Sequence, residues 1–196
     1  MIAAALVVGY LVGSAPTADW LARRRGIDLR STGSGNPGTN NALRTGGPRL
    51  AAAVLVVELA KGAAAVWAGH YLGGAAGAAL AATAATAANV YNPWFRLRGG
   101  KGLAITGGTL AVAWPSALLV LVAVIGLGVA LLRRSGPAAL LTLAGYVALA
   151  AWGPLGGGLV DEPGWLMAMA VGQSALMAPK HLADTFRRAG RAVPRG

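Results

Sequence analysis

Residues 2–25 read IAAALVVGYLVGSAPTADWLARRR, an apolar run holding one charge, Asp19, and closed by Arg23-Arg24-Arg25. A helix needs about 20 mainly apolar residues to cross a hydrocarbon core of roughly 30 Å, so residues 2–22 predict a membrane span. The run lacks an early basic segment, and the three arginines stand where a leader's cleavage site would fall. It therefore reads as a retained first helix.

Working outward, residues 23–49 form a polar loop rich in Gly, Asn and Arg. Residues 50–70 and 75–92 are again long and apolar, and 93–101 is a short basic loop. A shorter apolar run, 102–113, ends at Trp114-Pro115, where proline breaks or restarts a helix. Further spans are expected over 116–132, 137–153 and 163–178, with a Gly-rich turn carrying Asp161 and Glu162 before the last, and a frayed basic tail over 179–196. The expectation is one all-α domain, residues 1–196: a polytopic transmembrane bundle of about seven helices.

Charge gives the orientation. With seven crossings, 16 of the 17 cations fall on one side and Asp161 and Glu162 on the other. Excess Lys and Arg mark the cytoplasmic side, which puts the N-terminus outside and the C-terminus inside. A five-helix scheme that merges 102–132 breaks this pattern. The chain is 56% hydrophobic and 12% charged with a mean hydropathy of +0.59, whereas soluble domains carry about a quarter charged residues. Its net charge of +11 does not point to nucleic acid, because the basic segments are short and not interleaved with aromatics. There is no cysteine, and two histidines with six scattered acidic residues give no basis for a metal site. No cofactor is expected. Many glycines and alanines, clearest from Gly73-Gly74 to Ala88, suit close helix packing in lipid.

The seventeenth cation, Lys61, lies within the second long span. An intramembrane charge is costly unless paired, which makes it a functional candidate; Glu58, three residues earlier on the same face, supplies a partner, and a plain structural ion pair is the alternative. Asp19 is a second potential partner for Lys61. The loop GSGNPGTNNALR, residues 33–44, combines glycines that let successive amides face one concavity with hydrogen-bonding Ser34, Asn36, Thr39, Asn40 and Asn41 and the planar fork of Arg44. It reads as an anion nest or as a flexible connector. Gly99-Gly100-Lys101-Gly102 opens the next helix, where free amides and a lysine favour anions. Both loops fall on the expected cytoplasmic face, with Lys61 beneath and Lys180-His181 nearby. That suggests a site for two phosphorylated molecules, used by an enzyme or by a metabolite transporter; no internal repeat of the kind transporters carry is evident.

In order, GSGNPGTNNALR (33–44), the E-x-x-K-G of Glu58 to Gly62, GGKG (99–102) and the His181 segment resemble the bacterial acyl-phosphate:glycerol-3-phosphate acyltransferase family over nearly the whole chain. The resemblance implies a seven-helix inner-membrane enzyme that moves a fatty acyl group from acyl phosphate to the 1-hydroxyl of glycerol 3-phosphate, opening phospholipid synthesis. It implies Ser34, Arg44, Lys101 and His181 as catalytic residues. Gly35, Asn36, Gly38, Asn41, Lys61, Gly99, Gly100, Gly102 and Asp184 would bind substrate. The chain departs from the family at Asn40, usually Thr, and at Ala88-Asn89, usually Gly-His. Leu103-Ala104-Ile105 stands for Val-Ala-Thr, with Thr106 as a stand-in hydroxyl, and Asp184 for Asn. Such departures are what a divergent paralogue would show.

Overall fold

The computed structural model describes residues 1–153 and 157–189, and among them every regular element is helical. The helices are α1 (Ile2–Ser14), α2 (Thr17–Arg23), α3 (Thr39–Val90), α4 (Leu103–Ala113), α5 (Pro115–Leu132), α6 (Ser135–Trp152) and α7 (Pro163–Ala189), with a 3₁₀ turn at Pro93–Phe95. Among the described residues, four stretches are long and apolar enough to cross a membrane: Ile2–Arg23, Thr39–Phe95, Pro115–Leu132 and Ser135–Trp152. Large apolar side chains such as Leu119 and Leu131 face outward on α5, as they do in a membrane protein surrounded by lipid.

Three boundaries differ from the sequence expectation. The first span is not continuous: α1 stops at Ser14, because Pro16 has no N–H to continue the ladder and its ring obstructs the preceding turn. The polar loop ends early, at Gly38, whose extended backbone caps α3; residues 39–45 contain neither Gly nor Pro and wind into helix, which runs on until Gly47-Pro48 interrupts it. The tail is helical as far as Ala189, held where Gly136 lies against Thr185 and where Arg134 Nη2 donates to the Thr185 carbonyl (2.8 Å). Residues 154–156 of the expected turn and 190–196 of the expected tail lie outside the described residues.

The break expected near residue 73 is present. Gly73 and Gly74 leave helical geometry, Gly74 with φ +60, and Gly69 comes back against Gly77, so the two arms of α3 run side by side as a hairpin. Glycines set the packing. A Cβ at Gly9 or Gly13 would overlap the backbones of Ala81 and Ala85, and one at Gly62 or Gly108 would overlap those of Ile105 and Leu59. In lipid, where burial of apolar area drives little, such close approach supplies the van der Waals contact that holds helices together.

Polar pins complete the bundle. Buried Gln173 on α7 donates from Nε2 to Thr86 Oγ1 and Thr109 Oγ1 (3.0 Å each) and accepts from the Tyr146 hydroxyl (3.0 Å), joining α3, α4, α6 and α7. Each interhelical hydrogen bond in a membrane is worth about 0.6–2 kcal/mol. Gln173→Leu is therefore expected to lower the melting temperature in detergent by several degrees, read by circular dichroism; an unchanged melting point would mean that the network contributes nothing.

At 11 residues α4 is shorter than the four candidate spans. Its last carbonyls, Val112 and Ala113, accept from the amides of Leu159 and Val160 (3.1 and 3.2 Å), so the segment before α7 closes the end of the short helix. Trp114, Tyr146, Leu166 and Met169 pack around that junction as the main core.

Candidate active site

The site begins with the Ala15-Pro16 break. Proline leaves carbonyls of α1's last turn without helical donors, and in a bundle interior these need other partners. Asn92 Nδ2 donates to the Ser14 carbonyl (2.8 Å), and Lys61 Nζ donates to the Ala15 carbonyl (2.8 Å). The same ammonium pairs with Glu58 at 3.0 and 3.2 Å, as the i, i+3 spacing predicted. Glu58 also accepts from Thr17 Oγ1 (2.7 Å) and Asn89 Nδ2 (2.7 Å), which fills its carboxylate. From Asn89 the chain leads to the second loop: the Asn89 and Val90 carbonyls accept the amides of Gly100 (3.0 Å) and Gly99 (3.1 Å).

Those contacts revise the anion-nest expectation for residues 99–102. Two of the amides expected to face a phosphate are occupied by the end of α3, and Gly102, with φ +86, caps α4 against Met177. The Lys101 side chain is what this loop offers to an anion.

The first loop is folded over one amide. Asn41, 1% exposed, accepts from the Ser34 amide through Oδ1 (2.8 Å) and donates through Nδ2 to the carbonyls of Leu29 (2.9 Å) and Thr32 (3.0 Å). Gly33 (φ +60) and Gly35 (φ +71) take left-handed geometry on either side of Ser34, so the loop curls above Asn41. Glycine adopts this region at no steric cost. Arg30, just before the loop, lays its fork on Asp19 (Nε to Oδ1 3.0 Å, Nη2 to Oδ2 2.9 Å) and donates through Nη1 to the Arg98 carbonyl (2.6 Å). Its plane sits 3.4 Å from the Phe95 ring centroid. Asp19 thus belongs to Arg30 and not to Lys61, correcting the sequence-based pairing.

The turn after α3 is strained. Arg96 (φ 52) and Leu97 (φ 63) are consecutive non-glycine residues in the left-handed region, each costing about 1–3 kcal/mol.

Between the loops and α7 lies a cavity of about 790 Å³. Ser34, Gly35 and Asn36 line it from the first loop, Gly99 and Lys101 from the second, and Lys180, Ala183 and Asp184 from α7. Five cations, Arg30, Arg96, Arg98, Lys101 and Lys180, face it against one lining carboxylate, Asp184. Such a space suits anionic small molecules in size and charge. Lys101 Nζ is paired with Asp184 at 2.8 Å, and Lys180 Nζ donates to the Gly99 carbonyl (3.3 Å).

Of the predicted residues, Ser34, Gly35, Asn36, Gly99, Lys101 and Asp184 meet at the cavity wall. Asn41 and Lys61 are buried beneath it, Gly38 caps α3, and Gly100 and Gly102 sit behind Lys101. Arg44 and Asn40 are exposed on the first turns of α3, away from the cavity wall. Thr106 does not replace a site hydroxyl: it is buried in the bundle beside Thr86 (3.4 Å) and Met177, and Ile105 is core. His181 is 2% exposed behind Asp184, and neither ring nitrogen has a hydrogen-bond partner. Beyond the 163–178 apolar stretch, burial, helped by Lys101, pushes its imidazole down to about 4, so it is neutral near pH 7. Sequence reading treated Arg30, Arg96 and Arg98 as orienting charges only; no spacing rule links Asp19, Arg30 and Phe95, which meet only in three dimensions.

The family model described as glycerol-3-phosphate acyltransferase matches residues 3–189. A glycerol-3-phosphate acyltransferase of Rhodopseudomonas palustris is 44% identical over 118 residues, covering 59% of this chain and 60% of the relative. Glycerol-3-phosphate acyltransferase 1 of Rhizobium johnstonii is 39% identical over 150 residues, 76% of this chain and 72% of the relative. Against the first of these, the match spans about three fifths of the relative's length. The crystal structure of PlsY (YgiH), an integral membrane glycerol 3-phosphate acyltransferase in its glycerol 3-phosphate form, superposes with a TM-score of 0.80 at 26% identity, covering 100% of this chain and 96% of that one.

Proposed function

Because the chain belongs to the glycerol-3-phosphate acyltransferase family, we propose that it transfers a fatty acyl group from acyl phosphate to the 1-hydroxyl of glycerol 3-phosphate. The products are lysophosphatidic acid and inorganic phosphate. The observation that carries the reading is a cationic cavity in which Ser34-Gly35-Asn36 and Lys101 meet, large enough for two phosphorylated heads. Acyl phosphate brings its own leaving group, so catalysis calls for positioning and charge stabilisation more than for a protein nucleophile. Lys101 and the surrounding arginines stabilise charge on the departing phosphate, and Ser34 and Asn36 orient the polar head. Asn41 shapes their loop, and Lys61 with Glu58 supports the second loop from below. With the His181 imidazole held down, the departing phosphate, whose second pKa is about 6 in a phosphomonoester, is the better acceptor for the hydroxyl proton. His181 is assigned a hydrogen-bonding role. Arg44, exposed on the first turns of α3, is assigned to the substrate phosphate on the family resemblance alone.

The domain, residues 1–196, crosses the bacterial inner membrane seven times with its N-terminus outside. The cavity, the 23–49 and 93–101 loops and the basic tail face the cytoplasm. The placing of 16 of the 17 cations on one side, with Lys61 inside a span, supports this orientation. Purified protein in vesicles supplied with acyl phosphate and glycerol 3-phosphate is expected to form lysophosphatidic acid, identified by mass analysis; failure to form it with both substrates present removes the reading.

Asp184 competes with phosphate for Lys101. Asp184→Asn is expected to lower the KM for glycerol 3-phosphate by about fivefold, equivalent to roughly 1 kcal/mol for a part-exposed pair. Steady-state kinetics check it, and a raised KM would show that the carboxylate itself holds substrate.

A further inference from the structure

We propose that Arg30 is a positioning residue for this acyl transfer, a clasp that holds the basic turn 93–98 against the first loop and so fixes the cationic edge of the cavity; the inference rests on the acyltransferase reading above. All three nitrogens and the plane of the guanidinium are engaged. Two nitrogens fork onto Asp19 (3.0 and 2.9 Å), a third donates to the Arg98 carbonyl (2.6 Å), and the plane covers the Phe95 ring at 3.4 Å. Asp19 is 3% exposed on α2, so the fork is anchored in the bundle and not in the loop. The two points held on the far side, Phe95 and the Arg98 carbonyl, flank Arg96 and Leu97, the pair in left-handed geometry. Conformations of this kind persist only where surrounding contacts over-determine them. Within the turn, Leu97 donates to the Asn92 carbonyl (2.9 Å) and Arg98 to that of Phe95 (3.0 Å); Arg30 supplies the external contacts on both sides. Release of Arg30 frees the turn, and Arg96 and Arg98 lose their places facing the cavity. Lysine cannot substitute, since an ammonium has neither fork nor plane.

The chain has no cysteine, so a single Leu97→Cys change (Leu97 is 58% exposed) accepts a nitroxide label on the turn itself. Arg30→Lys and Asp19→Asn are compared with the parent in that background by electron paramagnetic resonance in vesicles, alongside steady-state kinetics. Arg30→Lys keeps the positive charge, and Asp19→Asn keeps the guanidinium if the first variant does not accumulate. Both are expected to sharpen the nitroxide spectrum and to raise the KM for glycerol 3-phosphate, by about tenfold for Arg30→Lys, the loss of one charge-assisted hydrogen bond. The change in kcat is expected to be smaller than the change in KM. A raised KM with an unchanged spectrum would make Arg30 a simple substrate contact, and a sharpened spectrum with an unchanged KM would show that the turn does not set binding. Either result overturns the proposal. If the parent protein forms no lysophosphatidic acid, the acyltransferase reading falls, while the spectra still decide whether the clasp holds the turn.

Discussion

Lys101→Ala is expected to lower kcat/KM for lysophosphatidic acid formation by about 10²–10³-fold, the scale on which enzymes depend on a single group that stabilises developing charge. Lys101 carries the one side chain of the 99–102 loop, while the Gly99 and Gly100 amides are bonded to the end of α3. Its pairing with Asp184, also on the cavity wall, places the ammonium at the space a phosphate would enter. Lys101→Arg keeps the charge but adds a planar fork, and is expected to recover only part of the loss. The measurement is a vesicle assay normalised to protein that elutes as a single folded species. Activity within tenfold of the parent for the alanine variant would exclude Lys101 from the reaction.

Glu58→Ala is expected to have the largest effect on stability. The change strands the Lys61 ammonium, 7% exposed, against the Ala15 carbonyl alone, and removes the acceptor for Thr17 and Asn89. Removing one partner of a buried ion pair typically costs about 3–5 kcal/mol, because the remaining charge is left uncompensated. Glu58→Gln is milder: its amide oxygen still accepts, although Lys61 loses its counter-charge. Melting in detergent and the yield of membrane-inserted protein report the difference. A Glu58→Ala protein as stable as the parent would show that water enters and solvates Lys61, and the proposed coupling from the Pro16 break to the second loop would fail.

Much of this arrangement was legible from the chain because hydrophobic runs, proline and glycine act locally. The Gly73-Gly74 reversal, the stop at Trp114-Pro115 and the Glu58–Lys61 pair all follow from neighbours in sequence. The two glycine loops, expected from the sequence to handle anions, share one cavity. What was not legible depends on residues far apart. Asn41 looked like a ligand, yet its amide is consumed in shaping the loop above it. Gly99 and Gly100 looked like free amides, but the carbonyls that take them belong to Asn89 and Val90, on the preceding helix. Arg30 carried no local mark at all, because its three partners come from α2 and from the turn after α3. The early start of α3 was hidden by polar residues, whose composition resembles a loop while nothing in them prevents helix from Thr39 onward.

The brevity of α4 bears on how the protein is made. A segment of 11 residues is about half the length of an ordinary span, so α4 relies on its neighbours to complete its end. The carbonyls of Val112 and Ala113 stay without their donors until residues 159 and 160 have been synthesised, after all of α6. The end of α4 away from the Lys101 loop is thus completed by a stretch of chain that follows two further helices.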